Sequence, residues 1–414
     1  MRASSEGAAP VRAADGPSPE LNEVIDRVGL VDHHAHSVVS GTVDRDAYAF
    51  MLDESDRPAS ARAAGLDTQV AFAVRRWCAP LLGLAPDASL DEFLRARLAL
   101  SARDAVARFL PFARLDRLLV ETGYRGDELM ATPQLERLAE TPVSTVARLE
   151  TIAESVATEA PAARDFADAV RRSIEAALAA GAVGLKSIVA YRAGLDVDPR
   201  RPSDAEVERA AAAWLATLGP GSRPRLVDPV LLRFLLWAAV DTGRPLQVHT
   251  GFGDPDLHLR RSDPLLLTDF IRLAEGRGPI LLLHTYPFHR EAGYLAQMFE
   301  HVYVDVGLAV NYTGAQSPHV IAESLELAPF RRILFSSDAW GLPELHLIGS
   351  LLFRRGLSRV LGQWVVDGDW PLADAERVVR MIAAENARRV YGLSDEPDEG
   401  RGAVEPDRPA PDES

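Results

Sequence analysis

Short apolar runs alternate with amphipathic stretches along most of the chain. In order, the runs cover 28–32, 118–121, 145–150, 183–189, 245–249, 280–284, 302–306 and 333–335. Within each run apolar residues follow one another with little alternation, the pattern of a strand covered on both faces. The stretches between them repeat at helical spacing. Over 165–180, Phe166, Val170, Ile174 and Leu178 share one stripe, and Gly181 supplies a stop. Another helical stretch, 374–390, ends at Tyr391-Gly392. Strand and helix in turn predict an α/β fold with a parallel sheet, and eight such units predict a (β/α)8 TIM barrel.

The connection between the first two runs, 37–117, is far longer than the others and reads as mostly helical. An insertion there lies over the active-site face of a barrel, which makes it a candidate lid. The body is expected as one domain over 19–393, opening where Ser18 can cap a helix with Pro19 in its first position. Residues 1–18 and 394–414 read as disordered tails. The second holds eight acids and two arginines and has too little apolar content to bury surface.

Composition narrows the classes. With 47% hydrophobic and 25% charged residues over 414 positions, the chain is an ordinary globular mixture, which excludes fibrous and wholly disordered proteins. A net charge of −15 argues against a nucleic-acid or anionic-membrane surface. The start is rich in Ala, Ser and Pro without the apolar centre of a signal peptide, and no apolar stretch approaches a membrane span. One cysteine, Cys78, cannot make an internal disulfide. The expectation is a cytoplasmic protein that acts on a small molecule, with homo-oligomerisation left open.

One detail of composition points to chemistry. Of 45 Lys+Arg residues a single one, Lys186, is lysine, and it lies inside the apolar run 183–189. A buried amine is costly, so its retention among arginines suggests a task that guanidinium cannot perform.

In a barrel the chemistry belongs at the C-terminal ends of strands. The first run leads into Val31-Asp32-His33-His34-Ala35-His36, where His34 and His36, two apart in extended chain, project to one side. The fourth run carries Lys186, the fifth ends at His249, the sixth at His284, and Asp338 follows the eighth. Each has a plainer reading: a lone strand-end histidine is usually a hydrogen-bonded polar residue, and Asp338 could cap a helix. Their conjunction at successive strand ends predicts a metal site of nitrogen and oxygen donors.

The residues carrying this pattern are Gly184-Leu185-Lys186-Ser187-Ile188-Val189-Ala190-Tyr191-Arg192, Gln247-Val248-His249-Thr250-Gly251, Leu283-His284-Thr285-Tyr286-Pro287 and Ser336-Ser337-Asp338. With the closing Ala384-Glu385-Asn386-Ala387 and Tyr391-Gly392, they resemble the amidohydrolase superfamily of metal-dependent TIM-barrel hydrolases. More closely, they resemble its amidohydrolase-related branch, which includes FluG-like proteins. The likeness spans about 21–393.

The resemblance implies that His34, His36 and Asp338 ligate the more buried ion. His249 and His284 then hold a second ion, or in single-metal members His249 joins the first and His284 polarises water or substrate. Lys186 matches a strand-four lysine that is carboxylated to bridge two ions, and a carbamate is a ligand that arginine cannot become. Zn²⁺ suits this donor set, with Mn²⁺ and Fe²⁺ close behind. Metal lowers the pKa of bound water from about 16 toward about 7, and Asp338 can move its proton to the leaving nitrogen.

For substrate binding the expected residues are Glu121 and Glu150 at the ends of strands two and three, Tyr191 and Arg192 after strand four, and Tyr286 and Arg290 after strand six. Arg192 and Arg290 are expected to clamp a carboxylate. Trp340 and Trp77 are assigned to core packing. The expected activity is hydrolysis of an amide-type C–N bond in a small carboxylate-bearing molecule, a γ-glutamyl or similar amide by analogy. A zinc-dependent non-oxidative decarboxylase of the same superfamily is the alternative, and a non-catalytic barrel is a third class.

Overall fold

The computed structural model describes residues 13–55, 63–219 and 221–394. Seven parallel strands form one sheet in chain order: β1 (Leu30–Ala35), β2 (Leu115–Glu121), β3 (Val143–Arg148), β4 (Ala182–Ser187), β5 (Leu246–His249), β6 (Ile280–Leu283) and β7 (Val302–Val304). The sheet curls into a TIM-barrel-like arrangement with helices outside it. The eighth expected run, 333–335, is not a full strand. Leu334 N donates to Val304 O and His33 N to Phe335 O, so the segment touches both β7 and β1. Phe335 N, however, donates to Ile382 O, and Ser337 N turns to Asp32 Oδ1. Those bonds draw the backbone out of the ladder.

The expected helix at 165–180 forms as Ala163–Ala179 and buries Phe166, Val170 and Ile174, each worth about 1.5–3 kcal/mol of transfer free energy. The one at 374–390 is broken in three: Leu372–Arg380, a wide turn Met381–Glu385, and Asn386–Tyr391, capped by Gly392 at φ 62°. In the last piece Asn386 Nδ2 donates to Ile333 O and Phe330 O, tying it under the eighth run.

The described part of the long first connection contains the helices α1 (Arg45–Met51), α2 (Gln69–Cys78), α3 (Leu90–Leu98) and α4 (Ala102–Ala113). It is anchored to the long helix α5 (Pro343–Asp367): Arg97 pairs with Glu344 out of solvent, and Tyr48 OH lies 3.1 Å from the same carboxylate.

Packing begins earlier than expected. The tail predicted over 1–18 is corrected over 13–18, where Ala13 is buried, Asp15 pairs with Arg355 and Arg359, and Gly16 N donates to Ser358 Oγ at 2.6 Å. A Cβ on Gly16 would lie 1.9 Å from Ser358 O, so only glycine fits there. Residues 1–12, and all of the predicted acidic tail except Ser394, lie outside the described residues. Among the described residues no helix is long and apolar enough to cross a membrane.

Candidate metal centre

The ends of the strands converge on one cavity of about 290 Å³, lined by His34, His36, Lys186, His249, His284 and Asp338. Each predicted ligand therefore faces the same space. His34 Nε2 lies 3.2 Å from Asp338 Oδ1, His36 Nε2 3.5 Å from the same oxygen, and His284 Nδ1 3.5 Å from Asp338 Oδ2. Ligand atoms of His34, His284 and Asp338 lie within 4.8 Å of one another, a separation one cation can span. The His249 and His284 ring centroids are 4.6 Å apart.

The far side of each ring is fixed by a particular partner. Gln247 Nε2 donates to His33 O and to Tyr391 OH, so its Oε1 must face His34, where it lies 2.8 Å from Nδ1. An amide oxygen only accepts, so Nδ1 carries the proton and the Nε2 lone pair faces the cavity. His36 Nδ1 lies 3.3 Å from the Glu121 carbonyl and 3.6 Å from its carboxylate. The His249 ring is held by the backbone of Phe252. Such outer partners orient metal ligands in general.

What remains unbound is informative. His249 Nε2, both ring nitrogens of His284 and Asp338 Oδ1 are buried without a hydrogen-bond partner. Burial, reinforced by Lys186 and neighbouring histidines, holds His34, His249 and His284 well below the usual imidazole pKa, and burial brings His36 down to about 4. Neutral imidazole is the form that binds metal. Lys186 Nζ, 3.2 Å from His34 Nε2, is pushed down to about 8 by burial, and burial raises Asp338. The donor set therefore fits a divalent cation.

The backbone is strained at the same place. His284 (φ 68°), Thr285 (φ 52°) and Asp338 (φ 50°) are left-handed non-glycine residues, each costing about 1–3 kcal/mol. Asp305 offsets this strain: its Oδ1 accepts from His284 N at 2.9 Å, and its carbonyl accepts from Thr285 Oγ1 at 2.7 Å. Its Oδ2 holds His33 Nε2 at 2.9 Å. Asp338 N donates to His34 O at 3.0 Å, which fixes the acid relative to the histidine it faces.

The expected substrate residues divide. Tyr191 and Arg192 line the cavity, with the Tyr191 ring tilted against His249 at 4.5 Å between centroids. Glu121 sits behind the ligands, between His36 and Arg148. Glu150 does not end a strand: β3 stops at Arg148, and a helix, Leu149–Thr158, starts at once, so Glu150 accepts instead from Ser187 Oγ and Ile188 N. Tyr286 stacks on His289, and Arg290 is half exposed with Glu323 and Glu326; neither borders the cavity. Trp340 is buried in the core as expected and also borders the cavity with Phe50 and Tyr124, while Trp77 packs elsewhere beneath Arg76 and Arg355.

Gln247, Asp305, Arg148 and Tyr124 went unassigned from sequence. Gln247 had a signal, because it shares a strand face with His249 at a spacing of two. Arg148 had none, since the run through 150 hid the strand end.

Comparison with known proteins agrees with this geometry. The amidohydrolase family profile matches residues 31–393. Protein fluG of Emericella nidulans is 35% identical over 227 residues, 52% of this chain, which spans 26% of that relative's length. A provisionally assigned metal-dependent hydrolase from Lactobacillus casei superposes with TM-score 0.77 at 29% identity, covering 89% of this chain and 96% of its own. A Bacillus halodurans uronate isomerase (TM-score 0.63, 13% identity, covering 91% of this chain and 96% of its own) shares the fold.

Proposed function

Because the chain belongs to the amidohydrolase family, we propose that it is a metal-dependent hydrolase that cleaves an amide-type C–N bond in a small carboxylate-bearing molecule. One observation carries this reading: buried, unpartnered donor atoms of His249, His284 and Asp338 meet His34 in one cavity at the strand ends. In this reading the 333–335 segment takes the eighth position of a (β/α)8 barrel, since it bonds both neighbours.

His34, His36 and Asp338 would hold one ion, with His249 and His284 on the other side. A divalent ion there supplies a Lewis acid and a bound water whose pKa falls from about 16 to about 7. The protein's own groups do the rest. Asp338 accepts the proton of the attacking water and returns it to the leaving nitrogen. His284 faces the scissile carbonyl, and Arg192 orients the substrate carboxylate.

In this reading Lys186 would be carboxylated and would add oxygen donors to the residues that hold the metal. An ammonium 3.2 Å from a ligand nitrogen would oppose cations, whereas a carbamate reverses the sign and adds two oxygen donors. Electron density for the added carboxyl group, in protein prepared with bicarbonate and excess Zn²⁺, tests this. An unmodified amine beside a fully occupied single metal would overturn it.

Single-ion occupancy also suits non-oxidative decarboxylation, which the compact His34–His284–Asp338 trio keeps as a second reading. Metal analysis and a product screen over amides and aromatic acids separate the two: amine release supports hydrolysis, and carbon dioxide release supports the alternative. Phe50, Asp53 and Glu54 of the first connection border the cavity, which supports its role as a lid. Substrate analogues should then slow hydrogen exchange there more than in strand peptides; equal protection makes the segment a structural insertion.

A further inference from the structure

Arg148 ends β3, and Arg192 ends the short helix Val189–Arg192 just after β4, so both guanidiniums come from one arc of the cavity wall. Their side chains are 11% and 9% exposed. Each meets one carboxylate, Glu121 for Arg148 and Glu154 for Arg192, the latter at 3.1 Å. That leaves Arg148 Nε and Arg192 Nη1 buried with no hydrogen-bond partner. A guanidinium offers five N–H donors, and a buried one left unmade costs about 1–3 kcal/mol.

Two unpartnered donors on buried cations that line one cavity are what an anionic group would complete. Burial, with Arg225 and Arg148, holds Arg192 below the usual guanidinium range despite Glu154, as expected of an incompletely compensated cation. The other arginine expected to bind substrate differs on each count. Arg290 is 54% exposed and already shared between Glu323 and Glu326.

We propose that Arg148 and Arg192 form the anion subsite of this cavity and select substrates whose carboxylate lies close to the bond that is cut, the N-acyl α-amino acid class. The closeness follows from Glu121. The carboxylate that holds Arg148 lies 3.6 Å from His36 Nδ1, so the subsite is one side chain away from the ligand cluster. A cavity of about 290 Å³ also admits only a small molecule. This assignment rests on reading the cavity as the active site. In the reaction one water adds to the acyl carbon, the C–N bond breaks, and the nitrogen leaves with the proton as a free amino acid, beside one carboxylic acid.

The test compares N-acetylglycine, N-acetyl-L-alanine and N-acetyl-L-phenylalanine with their neutral carboxamides, as thermal stabilisers of the Zn²⁺-reconstituted full chain. The acids should act at concentrations about tenfold below the amides, and Arg192→Met should erase the difference. Arg192→Lys and Arg148→Lys, which keep a charge for Glu154 and Glu121, should narrow it, and Arg290→Met should leave it intact. The subsite is overturned if no acid outperforms its amide on the wild-type protein, or if the preference survives undiminished in folded Arg192→Met. Acid preference without turnover keeps the subsite and sinks the hydrolase reading; turnover without acid preference does the reverse.

Discussion

Two buried arginine sites in this chain solve the same electrostatic problem in opposite ways. Under the first connection, Arg97 meets Glu344 through Nε and Nη2, and the same carboxylate takes up Tyr48. No buried polar side-chain atom of that trio lacks a hydrogen bond among the described residues. At the strand ends, Arg148 and Arg192 each keep an idle N–H, within a cavity where His249, His284 and Asp338 are also incompletely bonded. The closed network holds helices together; the open one leaves donors and acceptors for something else to complete. Orphaned atoms alone do not mark function, since His346 has two unpartnered ring nitrogens in the core. Convergence on a shared cavity marks it.

The largest effects should follow from breaking the open network at its ligands. His34→Ala or Asp338→Asn should lower bound metal and turnover by more than about a hundredfold, while the circular dichroism spectrum keeps its folded form. Lys186→Arg should be as inactive despite its charge, and Lys186→Glu should retain some metal. Equal metal content and full turnover in the first two variants would sink the site.

The closed network should respond in stability alone. Arg97→Met strands Glu344 and should cost about 3–5 kcal/mol of unfolding free energy, with unchanged metal affinity per folded molecule. Replacing Arg97 and Glu344 together by apolar residues should recover most of that loss. A drop in metal affinity in these variants would show that the two regions are coupled after all.

Gln247→Leu probes the border between them. Its side chain is buried behind the cavity lining, where it sets which nitrogen of His34 carries the proton. Metal affinity should fall about 10–100-fold, read by competition with a chelating dye, with folding preserved. An unchanged affinity would mean that the strand alone orients His34.

How much of this was legible beforehand follows from the same division. His34, His36, Lys186, His249, His284 and Asp338 are legible because each lies within, ends or follows an apolar run, and strand ends map onto one face of a barrel. The strand limits were less legible: β3 gives way to a helix without a loop, so Glu150 was put at a strand end that belongs to Arg148. The eighth run reads as a strand by hydropathy, yet bonds to Ile382 and Asp32 take its backbone, and no local pattern encodes those partners. Arg290 lies outside the cavity because spacing along a loop does not say which way a helix face turns, and Glu323 and Glu326 hold it there.

The smallest effect separates the isolated orphan from the converged ones. His346 lies in α5 with its pKa brought down to about 3, first by burial and then by the field of His36. Its folded value is below the unfolded value of about 6.5, so the unfolded chain takes up the proton first as pH falls. The penalty is absent above about pH 6.5 and grows below it by about 1.4 kcal/mol per pH unit until the folded value is reached. His346→Leu should therefore flatten the acid limb of the stability profile by about 2 kcal/mol between pH 6.5 and pH 5, measured by urea unfolding. The gain should be the same with and without bound Zn²⁺, because His346 belongs to no converging set. A gain that appears only in metal-free protein would tie His346 to the cluster through His36 and enlarge the open network by one residue.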